Sequence, residues 1–146
     1  EPVATKKRPQ NSYDAQFSIP YTVAAALAKG RFGMAELDDA ALRDEQVLAL
    51  AAKVEYEIDP DSPFPTYYSG EVVVTLNDGR ELRHREHINR GAADRPISNA
   101  DVERKFFENM QLVTSTARAA QVRDLVLAIG RDSAAVDVQR GLAARG

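Results

Sequence analysis

The stretch from Ser18 to Gly30 constrains this chain most, because both ends of a helix are written into it. Ser18 suits an N-cap: its hydroxyl can accept a hydrogen bond from a free N–H of the first turn. Pro20 falls in that turn, where a missing N–H costs nothing and the fixed φ already fits a helix. Val23, Ala24, Ala26 and Leu27 recur at helical spacing, and Gly30 stands where a left-handed residue ends a helix. The run of alanines lets another backbone come close, so this helix is expected to lie beneath other structure. Ser18 and Tyr21 are then polar groups at the positive end of a buried helix, a place suited to an anion.

Before this helix, residues 1–13 carry two prolines and Lys6-Lys7-Arg8 with almost no apolar periodicity. They read as a mobile lead-in, or as a basic rim that folds against a partner domain. After it, Gly30-Arg31-Phe32-Gly33 lacks phosphate-loop spacing and reads as a C-cap turn. Asp38-Asp39 open a short turn, and Asp44 caps a second helix with Val47, Leu48 and Leu50 on its face.

The period changes at Lys53. Lys53-Val54-Glu55-Tyr56-Glu57-Ile58 alternates strictly between charged and apolar residues, which predicts a strand with one wet face. Residues 59–69 hold three prolines and form a loop whose aromatic part, Pro63 to Tyr68, reads as an exposed flap. Glu71 to Leu76 is nearly all β-branched and is expected to be the most buried strand. Asn77-Asp78-Gly79 predicts a tight hairpin with Gly79 at positive φ. The returning strand, Arg80 to Ile88, puts Leu82, His84, Glu86 and Ile88 on one face and Arg83, Arg85 and His87 on the other. Ser98-Asn99-Ala100-Asp101 starts a helix in capping-box style, with Val102, Phe106 and Met110 on one side. Ser115 or Thr116 caps another helix, with Val122, Leu125, Val126 and Ile129 on its face and Gly130 at its end. A last helix from about Ser133 to Ala144 has only a thin apolar stripe. The expected fold class is therefore α+β: an antiparallel sheet of three strands with helices packed on one face, plus C-terminal helices.

Several function classes are disfavoured. A net charge of −3 with both signs interspersed gives no electrostatic case for nucleic acid or an anionic membrane. The chain has no cysteine, which removes thiolate catalysis and Cys-based zinc sites and fits a cytoplasmic location. His84 and His87, three apart on a strand, face opposite sides and cannot chelate one metal ion, so no metal site is expected. His84 beside Glu86 fits an edge strand with both faces partly wet.

Asp14-Ala15-Gln16-Phe17-Ser18-Ile19-Pro20-Tyr21 followed by Val23 to Gly30 resembles the signature of the MmgE/PrpD family. The resemblance continues through Asn77-Asp78-Gly79-Arg80, Gly91 to Pro96-Ile97-Ser98, and Arg104-Lys105-Phe106, in the family's order. Family members include 2-methylcitrate dehydratase, cis-aconitate decarboxylase and iminodisuccinate epimerase, and they are much longer than this chain. The resemblance implies the smaller C-terminal, lid-like domain of a cofactor-free enzyme acting on a small polycarboxylate by dehydration, decarboxylation or epimerisation. It divides the chain into a lead-in (1–13), an α+β lid domain (14–114) and C-terminal helices (115–146) that return toward an N-terminal helical domain of the same protein. The family domain has a further strand before the Ala-rich helix, which this chain is expected to lack, and the full-length form is expected to be a homodimer. The start at Glu1 fits such a piece.

The family's acid/base histidines and lysine are expected in the helical domain, so the chain alone is expected to be inactive. The site residues implied here are Tyr21, as the catalytic candidate whose hydroxyl bonds a carboxylate or passes a proton, and Ser18, as a weaker substrate-binding candidate. Packing is the alternative for Tyr21, and capping already accounts for Ser18. From a different class, a non-catalytic α+β ligand-binding or assembly module remains open. Nothing in the sequence chooses among the three reactions.

Overall fold

A computed structural model describes residues 3–129 and 135–143 of the chain. It divides into two compact units, residues 1–60 and 61–146.

The first unit is helical. Its elements are α1 (Val3–Lys6), α2 (Ser12–Gln16), α3 (Ile19–Lys29) and α4 (Glu45–Ala51), with 3₁₀ turns at Met34–Leu37 and Ala41–Arg43. α3 begins and ends as its sequence dictates. Ser18 Oγ accepts the Tyr21 N–H at 3.0 Å, and Gly30, at φ 72°, donates its N–H to the Ala26 carbonyl. Asp44 caps α4 by accepting from Gln46 and Val47. α3 packs on α4, and the core between and around them is Ala15, Tyr21, Ala24, Ala25, Leu37, Leu42, Val47, Leu48 and Ala51.

The buried stripe of α3 differs from the expected one. It runs through Tyr21, Ala24 and Ala25 toward Ala28, whereas Leu27 is 53% exposed. The i, i+3, i+4, i+7 spacing is kept, but it is phased by the aromatic ring. Tyr21 is the largest fully buried side chain, and the alanines beside it leave room for α4.

The lead-in is not a loose tail. Pro9 is buried, Lys7 Nζ donates to the Ala52 carbonyl at 3.1 Å and pairs with Glu55, and Arg8 meets Glu45 at 2.7 Å. Lys7 and Arg8 are thus paired with the chain's own residues at and beyond α4.

The second unit contains the hairpin β1 (Gly70–Thr75) and β2 (Glu81–Glu86), then α5 (Asn99–Met110), α6 (Thr116–Leu127) and α7 (Ala135–Ala143). The strands pair antiparallel with Val72 opposite His84 and Val74 opposite Leu82. Gly79, at φ 85°, closes the three-residue connection, and the Leu76 N–H meets the Arg80 carbonyl at 2.8 Å. Ser98 and Ser115 cap α5 and α6. α5 packs with α6 and α6 with α7. The expected end at Gly130 and the start and end of the last helix lie outside the described residues.

Two expectations about the sheet change. Among the described residues it has two strands, because Val54 to Asp59 carries no regular structure and Ile58 is 93% exposed. Alternation gives a segment its two faces, but a strand exists only where a neighbour accepts its ladder. β1 is not buried either: Val73 is 42% exposed, and Leu82 of β2 is 54% exposed. Among the described residues these positions stay open to solvent, and α5 itself buries no residue. The class stays α+β.

Gly79 is the test of the hairpin. A Cβ there would meet nothing within 4 Å, so only the left-handed backbone opposes a side chain. Gly79→Val is expected to destabilise by about 1–2 kcal/mol, read from urea unfolding, whereas a misplaced turn would leave the curve unchanged.

Candidate functional site

The start of α3 gathers the two residues singled out by the sequence. Ser18 is 1% exposed, and both hydrogen-bonding senses of its hydroxyl are used. It accepts the Tyr21 N–H and donates to the Lys6 carbonyl, joining α1 to α3. Tyr21 is also 1% exposed. Its ring meets Phe32 edge-on at 6.2 Å, and its hydroxyl donates to the Glu36 carbonyl at 2.7 Å. Both hydroxyls therefore point inward and are engaged within the chain.

The electrostatics at Tyr21 act in one direction. Burial raises its pKa first, and the negative charges of Asp44, Glu36 and Asp38 add to that. The phenol stays protonated at neutral pH, so it can donate a hydrogen bond or a proton but is a poor base. Glu36 supplies more than a carbonyl. Its side chain is buried, with Oε1 accepting from Arg31 Nε at 2.9 Å and Oε2 from the Gly33 N–H at 2.8 Å. At the far end of α3, Lys29 meets Asp44 at 2.6 Å. That bond, with the N–H groups of α4, holds the Asp44 carboxyl below its usual range.

In the second unit, sequence reasoning missed two charge clusters. Arg95 makes a two-pronged pair with Glu86, donates to the Ile88 carbonyl at 2.8 Å, and leaves His84 Nε2 3.1 Å from the same carboxylate. The Arg95 guanidinium, then His84, hold the Glu86 pKa down from 4.5 to about 2. Asp101 is held low by Arg90, then Ser98 and Arg104. A usable signal was present, because Glu86 on a nominally apolar strand face calls for a cation. The turn at Ala92–Arg95 returns that cation to it. Each of these arginines already has a carboxylate, so the clusters read as fastenings for the 86–104 segment. Among the described residues no group of three or more His, Asp or Glu is placed to hold a metal ion. No described helix is long and apolar enough to cross a membrane.

Residues 2–130 match the C-terminal domain of the MmgE/PrpD family. The chain belongs to this family. It is 31% identical to the cis-aconitate decarboxylase of Mus musculus over 103 residues, 69% of this chain and 21% of that protein. It is 31% identical to the cis-aconitate decarboxylase of Homo sapiens over 109 residues, 73% of this chain and 22% of that protein. The matched stretch thus spans about a fifth of each relative's length. The family match over residues 2–130 takes in the Ser18–Tyr21 helix start and both charge clusters.

Two predictions follow from this geometry. Ser18→Ala removes the cap and the hydrogen bond from Ser18 Oγ to the Lys6 carbonyl, and is expected to lower unfolding free energy by about 1–2 kcal/mol in a denaturant titration. For Glu86, whose folded pKa lies below its unfolded one, the stabilisation is full above about pH 4.5 and is lost as pH falls through about 2. Arg95→Met should lower the melting temperature slightly at pH 7, less so in high salt because the pair is exposed. The gap to the unsubstituted protein should close on acidification, and a gap independent of pH would show that the pair is misassigned.

Proposed function

We propose that this chain is the C-terminal, lid-like part of a cofactor-free MmgE/PrpD enzyme acting on a small polycarboxylate. The observation that carries this reading is the family match across residues 2–130. The 31% identity to two cis-aconitate decarboxylases makes cis-aconitate the first substrate to assay, with 2-methylcitrate and iminodisuccinate beside it. The reaction is therefore a lyase-type dehydration or decarboxylation, or an epimerisation. In this reading the catalytic bases lie in an N-terminal helical domain of the same protein, the full-length form is a cytoplasmic homodimer, and the isolated chain is inactive. Residues 14–114 form the lid and 115–146 return toward the helical domain.

Tyr21 is the proposed catalytic donor and Ser18 the lesser, substrate-binding group. A neutral phenol is the right species for hydrogen-bonding a substrate carboxylate or delivering a proton. A helix N-terminus beside it favours negative charge. For contact, the Tyr21 hydroxyl must leave the Glu36 carbonyl. The full engagement of both hydroxyls also favours the second reading, a non-catalytic ligand-binding or assembly module with Tyr21 and Ser18 as core.

Tyr21→Phe in the full-length protein separates the two, since only the hydroxyl is lost. A catalytic donor predicts a fall in turnover of about 10²-fold or more, with stability changed by no more than about 1–2 kcal/mol. Unchanged kcat and KM would return Tyr21 to the core and leave the second reading.

A further inference from the structure

Glu36 is a buried acid that neither the core nor the proposed reaction uses. Its residue is 6% exposed, yet it lies in a 3₁₀ turn where an apolar side chain would pack at no electrostatic cost. Both carboxylate oxygens are taken by donors from its own loop, Arg31 Nε and the Gly33 N–H. The same residue's carbonyl takes the Tyr21 hydroxyl. The carboxylate therefore folds the loop 31–37 back on itself and sets its carbonyl against the phenol. A charge kept out of water at one loop, with each oxygen satisfied, is costly to place and breaks sharply when a donor is lost.

We propose that Glu36 is the clasp of a latch: its carboxylate closes the loop 31–37 over Tyr21, and opening the clasp releases the Tyr21 hydroxyl to a substrate carboxylate. This rests on the reading of Tyr21 above. It accounts for a candidate donor that is fully engaged in this conformation. The apparent substrate affinity is then reduced by the fraction of molecules in which the latch is closed.

Two variants of the full-length protein open the clasp while changing local charge in opposite senses. Glu36→Gln removes the negative charge and leaves one acceptor for two donors. Arg31→Met removes a positive charge from a side chain that is 71% exposed, so it leaves the core intact. Nitration of Tyr21 by tetranitromethane, followed by peptide mass spectrometry, reads release of the phenol without reference to activity. Both variants should nitrate Tyr21 about ten-fold faster or more, and KM should fall about three-fold or more with kcat held, an effect absent in a Tyr21→Phe background.

Faster nitration in Glu36→Gln alone would mark a charge effect and overturn the latch, as would unchanged nitration in both. Faster nitration with unchanged KM would overturn its role toward substrate. If Glu36→Gln does not fold, Arg31→Met decides alone. Intact turnover in Tyr21→Phe would fail the catalytic reading, while nitration would still decide the latch.

Discussion

The Ser18 hydroxyl is where the first unit is tied together. It satisfies the Tyr21 N–H at the start of α3 and the Lys6 carbonyl at the end of α1, so one atom fixes both the helix register and the path of the segment before it. That segment then crosses to α4, where Lys7 and Arg8 find Ala52, Glu55 and Glu45. The other end of α3 is bound to the start of α4 through Lys29 and Asp44. With both ends fixed, α3 buries the Tyr21 ring, and the alanines around it decide how near α4 can lie. A buried phenol needs a partner for its hydroxyl, and the loop 31–37 supplies one.

The second unit is held by other means. Its hairpin rests on the backbone ladder and on cross-strand pairs such as Glu71 with Arg85 at 2.9 Å. Arg83 and Arg85 together hold the Glu71 carboxyl below its usual range, Arg85 first. Ala119 and Val122 of α6 are its buried apolar residues among those described. An isolated two-stranded hairpin is marginal in water, and valines on an open face gain little from burial. Ion pairs fix register in such a setting better than they stabilise it, since exposed pairs contribute little.

Local chemistry was legible in the sequence and tertiary cover was not. Ser18, Gly30, Asp44, Gly79, Ser98 and Ser115 mark element ends through their own backbone or a neighbour two or three residues away, so their roles could be read directly. The third strand at Lys53–Ile58 failed for the opposite reason. Alternation describes what a segment offers, whereas pairing depends on a distant edge. The buried stripe of α3 was misphased by one residue type, because a hydrophobicity count ranks Leu27 above Tyr21 while packing around a large ring ranks them in reverse. The Glu86–Arg95 and Asp101–Arg90 pairs lay hidden in a loop whose path no period reveals. Ser18 and Tyr21 were found, but their inward orientation depends on Lys6 and Glu36, 12 and 15 residues away.

The placement of Tyr21 narrows the chemistry open to it. Burial and three carboxylates all disfavour a phenolate, so a role as general base would work against them. The same surroundings suit a donor, because a neutral phenol keeps its proton until something more basic than a backbone carbonyl is presented. A substrate carboxylate is more basic than an amide carbonyl and accepts a stronger hydrogen bond. Exchange of the Glu36 carbonyl for such a group is then favourable in the bond itself, and what opposes it is the movement of the loop 31–37. The energy of that loop, set by Arg31, Gly33 and the Glu36 carboxylate, is what would decide when Tyr21 serves the core and when it serves a ligand.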